Sequence, residues 1–395
     1  MKKHKNSNGA IAEKIRNPLI NFSGKRVAIV SNTCWNVYNF RINVIERLLA
    51  LKAKIFIIAP IDETIQHLSR LEDVTIIPLN HLKRNSSNPI SELILLRELV
   101  TKYRSVKPDF IIHYTIKPNI YGSVAAGMLG IKSVSVVTGL GYTFINQPWM
   151  KWLVSKMYRF AFRYNERVIF ENQDDRNLFV QSGISSDKNS VSIKGCGVNV
   201  DYFKTKISRL DRENLEFIFV GRLLFDKGIV EYVEAAKYIV QKYPHVRFTV
   251  LGLLDEENPS HISRETLLTW VKSNAIRYYG ETKDVRPFLK RADCIVLPSY
   301  REGLPRVIIE SMAMALPVIT TDTAGCRETV AEGVNGFLVP IKNTDALAVA
   351  IEKFIKMTQG ARFMMGQRSR QMVEAEFRDT VIADSILTVV AQSLV

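Results

Sequence analysis

The sequence predicts an α/β protein of two Rossmann-like domains, each a parallel sheet flanked by helices, facing one another across a cleft. Three observations carry this. Short apolar runs without polar alternation, such as RVAIV, KIFIIA and DCIVL, have the pattern of strands buried on both faces. Between them lie stretches with helical spacing, and such alternation argues for βαβ units. The series runs once through the first half and starts afresh at LEFIFVGR, and 395 residues suffice for two such domains.

Residues 1–24 are a polar tail punctuated by Pro18 and Gly24. The N-terminal domain is expected over 25–200. It opens on the strand KRVAIVSN, passes a loop NTCWNVYNF, and enters a helix RINVIERLLALKA with Ile42, Ile45, Leu48, Leu49 and Leu51 on one side. KIFIIAP, VTIIPL, DFIIHYT, SVSVVTG and RVIFEN follow as strands. The helices between them include SELILLRELVTKY, one after Pro118 and a long one from Pro148. GCGVNVDYF is a turn-rich crossover into the second domain, 201–372, where LEFIFVGR, RFTVLG, RYYG, DCIVLPS and PVITT are strands. Residues 373–395 are expected to form a C-terminal helix that can pack back on the N-terminal domain.

Apolar and charged fractions of 47% and 24% belong to a soluble globular protein. No run approaches the roughly eighteen apolar residues of a spanning helix, and MKKHKNSNGAIAEKIRN lacks the apolar core of a signal peptide. The expectation is a cytoplasmic protein. Cys34, Cys196, Cys294 and Cys326 are scattered without paired spacing, so neither a disulfide nor a metal site is expected. The net charge of +15 is uneven: residues 1–204 hold 29 Lys and Arg against 15 Asp and Glu, the remainder 25 against 24. Such asymmetry points to an anionic partner for the first half, a membrane surface or a nucleic acid, beside the plain reading of a soluble surface.

Two stretches carry chemistry. In DCIVLPSYREGLPRVIIESMAMALP a buried strand hands over to a loop holding Glu302 and Gly303. Leu304 follows, and Pro305 suits the first helical position because it has no N–H to lose. Glu310 is then expected about two turns into the helix. Paired carboxylates beside a helix N-terminus suit a ligand with hydroxyls and a phosphate, because carboxylates accept hydroxyl protons while free backbone N–H groups meet the phosphate. In FVGRLLFDKG, Gly221 ends a strand and Arg222 and Lys227 flank the turn, a fork and a point charge fit for a diphosphate. Alone, each could be an ordinary surface cation.

GRLLFDKG, followed eighty residues later by REGLPRVIIESMAMALPVITTD and then by GCRE and NGFLVP, resembles the retaining glycosyltransferases of family 4, which have the GT-B fold. The resemblance implies sugar transfer with retention from a nucleotide donor, a UDP-sugar that is substrate rather than cofactor, without a metal. It implies that Arg222 and Lys227, with Gly221, bind the donor diphosphate. It places Glu302 beside the donor sugar, with Gly303, Leu304 and Pro305, and Glu310 on the ribose hydroxyls. HYTIKPNIYGSVAAGMLGIKSVSVVTGLGYTF is similar to the bacterial branch acting on polyprenyl-diphosphate-linked sugars, including N-acetylgalactosaminyltransferases, and implies a lipid-linked glycan acceptor. The chain departs from the family twice. NTCWNVYNFR lacks the frequent Gly-Gly pair, and Thr138 and Gly139 stand where many members have a His.

For the acceptor, His113 at a strand end, with Lys117 and Asn119, is either a cleft contact or a satisfied core histidine. Gly139 and Gly141 either admit a ligand or make a plain turn. QPWMKWLVSKMYRFAFRYNER interleaves Trp149, Trp152, Met157, Tyr158, Phe160 and Phe162 with Lys151, Lys156, Arg159, Arg163 and Arg167. With the basic first half, it is expected to meet the anionic inner face of the cytoplasmic membrane, the alternative being simple packing on the sheet. Other functions stay in view. A GT-B sugar-nucleotide epimerase would share the donor site, and a glycoside hydrolase needs carboxylates at separations sequence does not show. A basic nucleic-acid module would need a reader motif, which is absent, so no nucleic-acid partner is expected.

Overall fold

The computed structural model describes residues 22–83, 88–140, 148–204 and 214–394. Most of the expected N-terminal tail, and Gly141, lie outside these residues. The chain forms two compact units. One ends at Cys196 and takes the chain in again from Thr380, and the other is Gly197–Asp379.

In the first unit β1 (Arg26–Val30), β2 (Lys54–Ala59), β3 (Val74–Pro78), β4 (Phe110–Tyr114), β5 (Ser133–Val137), β6 (Arg167–Phe170) and β7 (Ser190–Ser192) make one sheet, ordered 3-2-1-4-5-6-7. Every pairing is parallel. β4 and β5 are buried along their whole length, as a parallel sheet covered on both faces requires. One face packs on helix Cys34–Ala50 through Val37, Val44, Ile45 and Leu48. The other packs on helix Pro89–Val106 through Leu95, Leu99 and Tyr103, and near β5 and β6 on helix Pro148–Ala161.

One expected loop is helix instead. The stretch NTCWNVYNF already coils from Cys34, because the Thr33 hydroxyl accepts the Asn36 N–H at 2.9 Å and caps the first turn. After β4 the chain makes a π-helical turn, Pro118–Gly122, before helix Ser123–Met128.

The second unit holds β8 (Glu216–Val220), β9 (Arg247–Leu251), β10 (Arg277–Tyr278), β11 (Cys294–Leu297), β12 (Val318–Thr321) and β13 (Gly336–Val339), ordered 10-9-8-11-12-13 and parallel throughout. Its core joins Phe217, Phe219, Tyr232, Phe248 and Phe354. In each sheet the strand order reverses once, between β1 and β4 and between β8 and β11, and such switch points open a crevice at the strands' carboxyl ends.

The stretch 373–395 divides. Its start belongs to helix Gln359–Glu376, while helix Asp379–Leu394 buries Ile382, Ile386, Leu387 and Val390 in the core of the first unit. Where the chain leaves and re-enters that unit the two segments pair: Val198 N–H donates to the Phe377 carbonyl at 2.9 Å, and Asp379 N–H to the Val198 carbonyl at 3.0 Å.

Candidate active site

Two loops leave the switch point of the second sheet. The first follows β8, passes a 3-10 turn at Phe225–Lys227 and enters helix Ile229–Lys242. Gly228 caps that helix at φ 71°, and a Cβ there would stand 2.1 Å from the carbonyl oxygen of Pro298. Only glycine lets the two loops approach so closely. The second loop follows β11. Tyr300 N–H donates to the Asp226 carbonyl at 2.9 Å and Glu302 N–H to the Ala324 carbonyl at 3.1 Å. Gly325, at φ 76°, seats the loop, since a Cβ would lie 2.4 Å from the Gly303 carbonyl oxygen.

These contacts bring Lys227 and Glu302 together, with Nζ 2.5 Å from Oε1. The Ser299 hydroxyl donates to the same oxygen at 2.7 Å, and the Thr321 hydroxyl donates to the Ser299 carbonyl. An ammonium carries three protons, so Lys227 keeps donors for an anion after binding Glu302. Arg222 is held in the same manner, one Nη donating to Asp255 at 2.8 Å while the rest of its fork stays available. Both cations are therefore oriented in advance by carboxylates. Preorganised positive charge of this kind stabilises charge that develops on a leaving group. The Cys326 thiol is buried beside the pair, and burial, reinforced by the Glu302 carboxylate, pushes it up to about 12.

Pro305 is the cap of helix Arg306–Ala313 rather than its first residue, and Glu310 is the fifth helical residue, one turn in rather than two. Arg306 Nε donates to Glu310 Oε1 at 2.8 Å. Burial pushes the Glu310 carboxyl upward, and Arg306 works against that. The helix has no acidic residue in its first turn, so its partial positive charge stands uncancelled next to Gly303, Leu304 and Pro305. Gly221, Arg222, Lys227, Glu302 and Glu310 thus belong to one edge of one sheet. Among the described residues no group of three or more His, Cys, Asp or Glu is placed to hold a metal ion.

Four further residues build this site and are not singled out by the sequence: Ser299, Asp255, Arg306 and Gly325. The spacing of Arg306 and Glu310, four apart on a helix, is a legible signal. Asp255 and Gly325 act only through tertiary contacts and carry none.

The first unit sorts its candidates differently. His113 is a core histidine and not a ligand contact. It is fully buried, its Nε2 meets the Tyr103 hydroxyl at 3.0 Å and its Nδ1 the Ser123 hydroxyl at 3.4 Å, and burial lowers its pKa to about 3. Asn119 is equally buried and spends its amide N–H on the Val136 carbonyl at 2.9 Å. Lys117 is partly exposed and pairs with Glu92 at 2.6 Å. Gly139, at φ 123°, is partly exposed after β5.

Comparison with known proteins agrees with this fold. Residues 26–172 match the family model "Glycosyl transferase 4-like" and 202–372 match "Glycosyl transferases group 1". The chain is 28% identical over 347 residues, 84% of its length and 89% of the relative's, to the N,N'-diacetylbacillosaminyl-diphospho-undecaprenol alpha-1,3-N-acetylgalactosaminyltransferase of Campylobacter jejuni. It is 26% identical to the UDP-Gal:alpha-D-GlcNAc-diphosphoundecaprenol alpha-1,3-galactosyltransferase of Escherichia coli, over 65% of this chain and 69% of that one. Among solved structures, Anabaena HepE in complex with UDP superposes with a TM-score of 0.75 at 20% identity, covering 93% of this chain and all of the other. A glycosyltransferase from Rickettsia africae gives 0.74 at 20% identity, with 94% and 99% covered. The two family models leave little of the folded chain unmatched, and the chain belongs to the family 4 glycosyltransferases of GT-B fold.

Proposed function

We propose that the protein transfers a hexose or N-acetylhexosamine from a UDP-sugar to a polyprenyl-diphosphate-linked saccharide, with retention and without a metal, in the assembly of a cell-surface or glycoprotein glycan. The observation that carries the reading is the Lys227–Glu302 contact, because it ties the phosphate loop after β8 to the sugar loop after β11. The relatives named above, by their own names, act on diphospho-undecaprenol-linked sugars, which supports the acceptor class.

In this reading Arg222 and Lys227 hold the diphosphate and Glu310 the ribose hydroxyls. The bond from the anomeric carbon to the β-phosphate oxygen breaks. A bond from the acceptor hydroxyl oxygen forms on the same face, and the hydroxyl proton passes to the leaving phosphate oxygen. Charge builds on UDP, so the two cations lower the barrier. Glu302 already accepts from Lys227 and Ser299 through Oε1, and its task is to hold Lys227 and orient the donor sugar rather than to act as a nucleophile.

The enzyme works as a peripheral protein on the anionic inner face of the cytoplasmic membrane. Helix Pro148–Ala161 supports this by leaving Trp149 and Trp152 about two-thirds exposed, at 65% and 64%, next to exposed Lys151, Lys156 and Arg159. No helix among the described residues is long and apolar enough to cross a membrane. The deciding experiment offers a panel of UDP-sugars with extracted polyprenyl-diphosphate saccharides and reads product mass and anomeric configuration. A glycosylated acceptor with retained configuration is expected. Donor turnover without any acceptor product would replace this reading with sugar-nucleotide epimerisation.

A further inference from the structure

The first sheet has a switch point of its own, between β1 and β4, and helix Cys34–Ala50 begins there, directly after β1. A helix start at such a place is ordinarily free to take a phosphate. This one is not. Its first four N–H groups, which have no acceptor within the helix, are all spent. Cys34 donates to the Pro60 carbonyl at 3.1 Å, Trp35 to Asp62 Oδ2 at 2.7 Å, Asn36 to the Thr33 hydroxyl at 2.9 Å and Val37 to the Thr33 carbonyl at 3.4 Å. Asp62 also sets a negative charge against the positive end of the helix dipole. Helix Arg306–Ala313 has no acidic residue in its first turn, so the switch point of the second sheet suits an anion and that of the first repels one.

The same contacts fix what this helix start presents. Trp35 is 49% exposed while the backbone beneath it is held by Asp62, and Phe40 meets its ring edge-on at 5.4 Å. Beside it stand two half-buried amides, Asn32 and Asn36. The Ser31 hydroxyl donates to Asn36 Oδ1 at 3.0 Å, and the Nδ2 groups of Asn32 and Asn36 have no acceptor among the described residues.

A flat apolar ring bordered by amide donors, where anions are kept out, has the chemistry of a seat for a neutral pyranose. One face of a sugar ring is a layer of C–H groups that packs on an indole, and its hydroxyls accept amide protons. A lipid tail would leave the amides unpaired, and a diphosphate would meet Asp62. The donor's diphosphate, ribose and sugar are assigned to residues of the second unit, so the sugar still to be held is the acceptor's.

We infer that Trp35, with Asn32 and Asn36, seats a sugar ring of the acceptor and selects glycosylated acceptors over the bare lipid diphosphate. The inference deepens the transferase reading above and rests on it for the carrier of that sugar.

The test is calorimetry on the full chain with two soluble probes, farnesyl-diphosphate-linked N-acetylglucosamine and farnesyl diphosphate. The wild type is expected to bind the glycosylated probe more tightly. Trp35→Ala is expected to lose about tenfold in affinity for that probe and less than about twofold for farnesyl diphosphate. The turn survives this change, because its bonds run through the backbone, Thr33 and Asp62. Trp35→Phe keeps most of the affinity, and Asn36→Ala loses about fivefold on the glycosylated probe alone. Equal losses on both probes in Trp35→Ala, no loss on either, or equal wild-type affinity for the two would overturn the assignment. So would a Trp35→Ala variant that binds UDP normally and UDP-N-acetylglucosamine weakly, which would give the ring to the donor. UDP binding by the wild type, measured on the same preparations, reports separately on the donor site: its absence sinks the transferase reading and leaves the probe result standing.

Discussion

Each unit places an ion pair at the carboxyl ends of its strands, and the two pairs have opposite fates. In the first, Arg41 meets Glu171 at 3.0 Å with side chains only 3% and 8% exposed, and the guanidinium stacks over Tyr114 at 4.2 Å. In the second, Lys227 meets Glu302 at 2.5 Å with 24% and 12% exposed. The sealed pair has no room for a ligand and serves the fold. The open pair has donors left over and a glycine-thinned loop on either side of it. What separates the two ion pairs is access, since the sealed one also leaves Arg41 Nε without a hydrogen-bond partner, and neither residue type nor place in the sheet tells them apart.

The sharpest way to break this comparison is to remove one partner from each pair. Arg41→Ala strands a buried carboxylate and is expected to cost about 3–5 kcal/mol of stability, read by urea unfolding. Lys227→Ala is expected to lower kcat by about 10²–10³-fold with a nearly unchanged unfolding midpoint. Near-normal turnover in that variant would remove the leaving-group role assigned to Lys227. Replacing both partners sharpens the contrast further. Arg41→Met with Glu171→Leu is expected to recover most of the lost stability, whereas Lys227→Met with Glu302→Leu folds and stays inactive.

A smaller effect comes from pH. His113 has a folded pKa of about 3 against about 6.5 when unfolded, so its contribution is complete above pH 6.5 and is lost as pH falls toward 3. At pH 5 the loss is about 2 kcal/mol. Unfolding measured at pH 7 and pH 5 is expected to show this difference in the wild type and a reduced one in His113→Gln. The smallest expected change belongs to Ser299→Ala, which removes one hydrogen bond to Glu302 and lowers turnover by roughly fivefold, about 1 kcal/mol.

The fold was legible because buried parallel strands announce themselves as continuous apolar runs, and RVAIV, KIFIIA and CIVL all fall where expected. The same property hid His113. A strand buried on both faces shows no alternation, so FIIHY gives no sign of which side chains reach the surface. The helix start at Cys34 was missed because polar Asn36 and Asn39 obscure the spacing of Cys34 and Val37. In the site, Arg222, Lys227, Glu302 and Glu310 stand inside two short motifs and could be found. Asp255 lies 33 residues from Arg222, and Gly325 meets Gly303 from another strand's loop. Such partners are chosen by the sheet, and local sequence does not encode them.

The return of helix Asp379–Leu394 to the first unit has a consequence for synthesis. Ile382, Ile386, Leu387 and Val390 complete a core that also contains Val27, Ile29, Val37 and Ile45. Arg47 and Lys132 wait for the same helix, bonding Asp384 at 2.6 Å and the Leu394 carbonyl at 3.3 Å. On the ribosome the unit whose chain begins first is therefore finished last, with an apolar groove open while the whole second unit is made. The second unit is a single continuous stretch, Gly197–Asp379, and needs no such wait. The order of folding runs against the order of translation, and the nascent first unit is the part of this protein that a chaperone would be expected to hold.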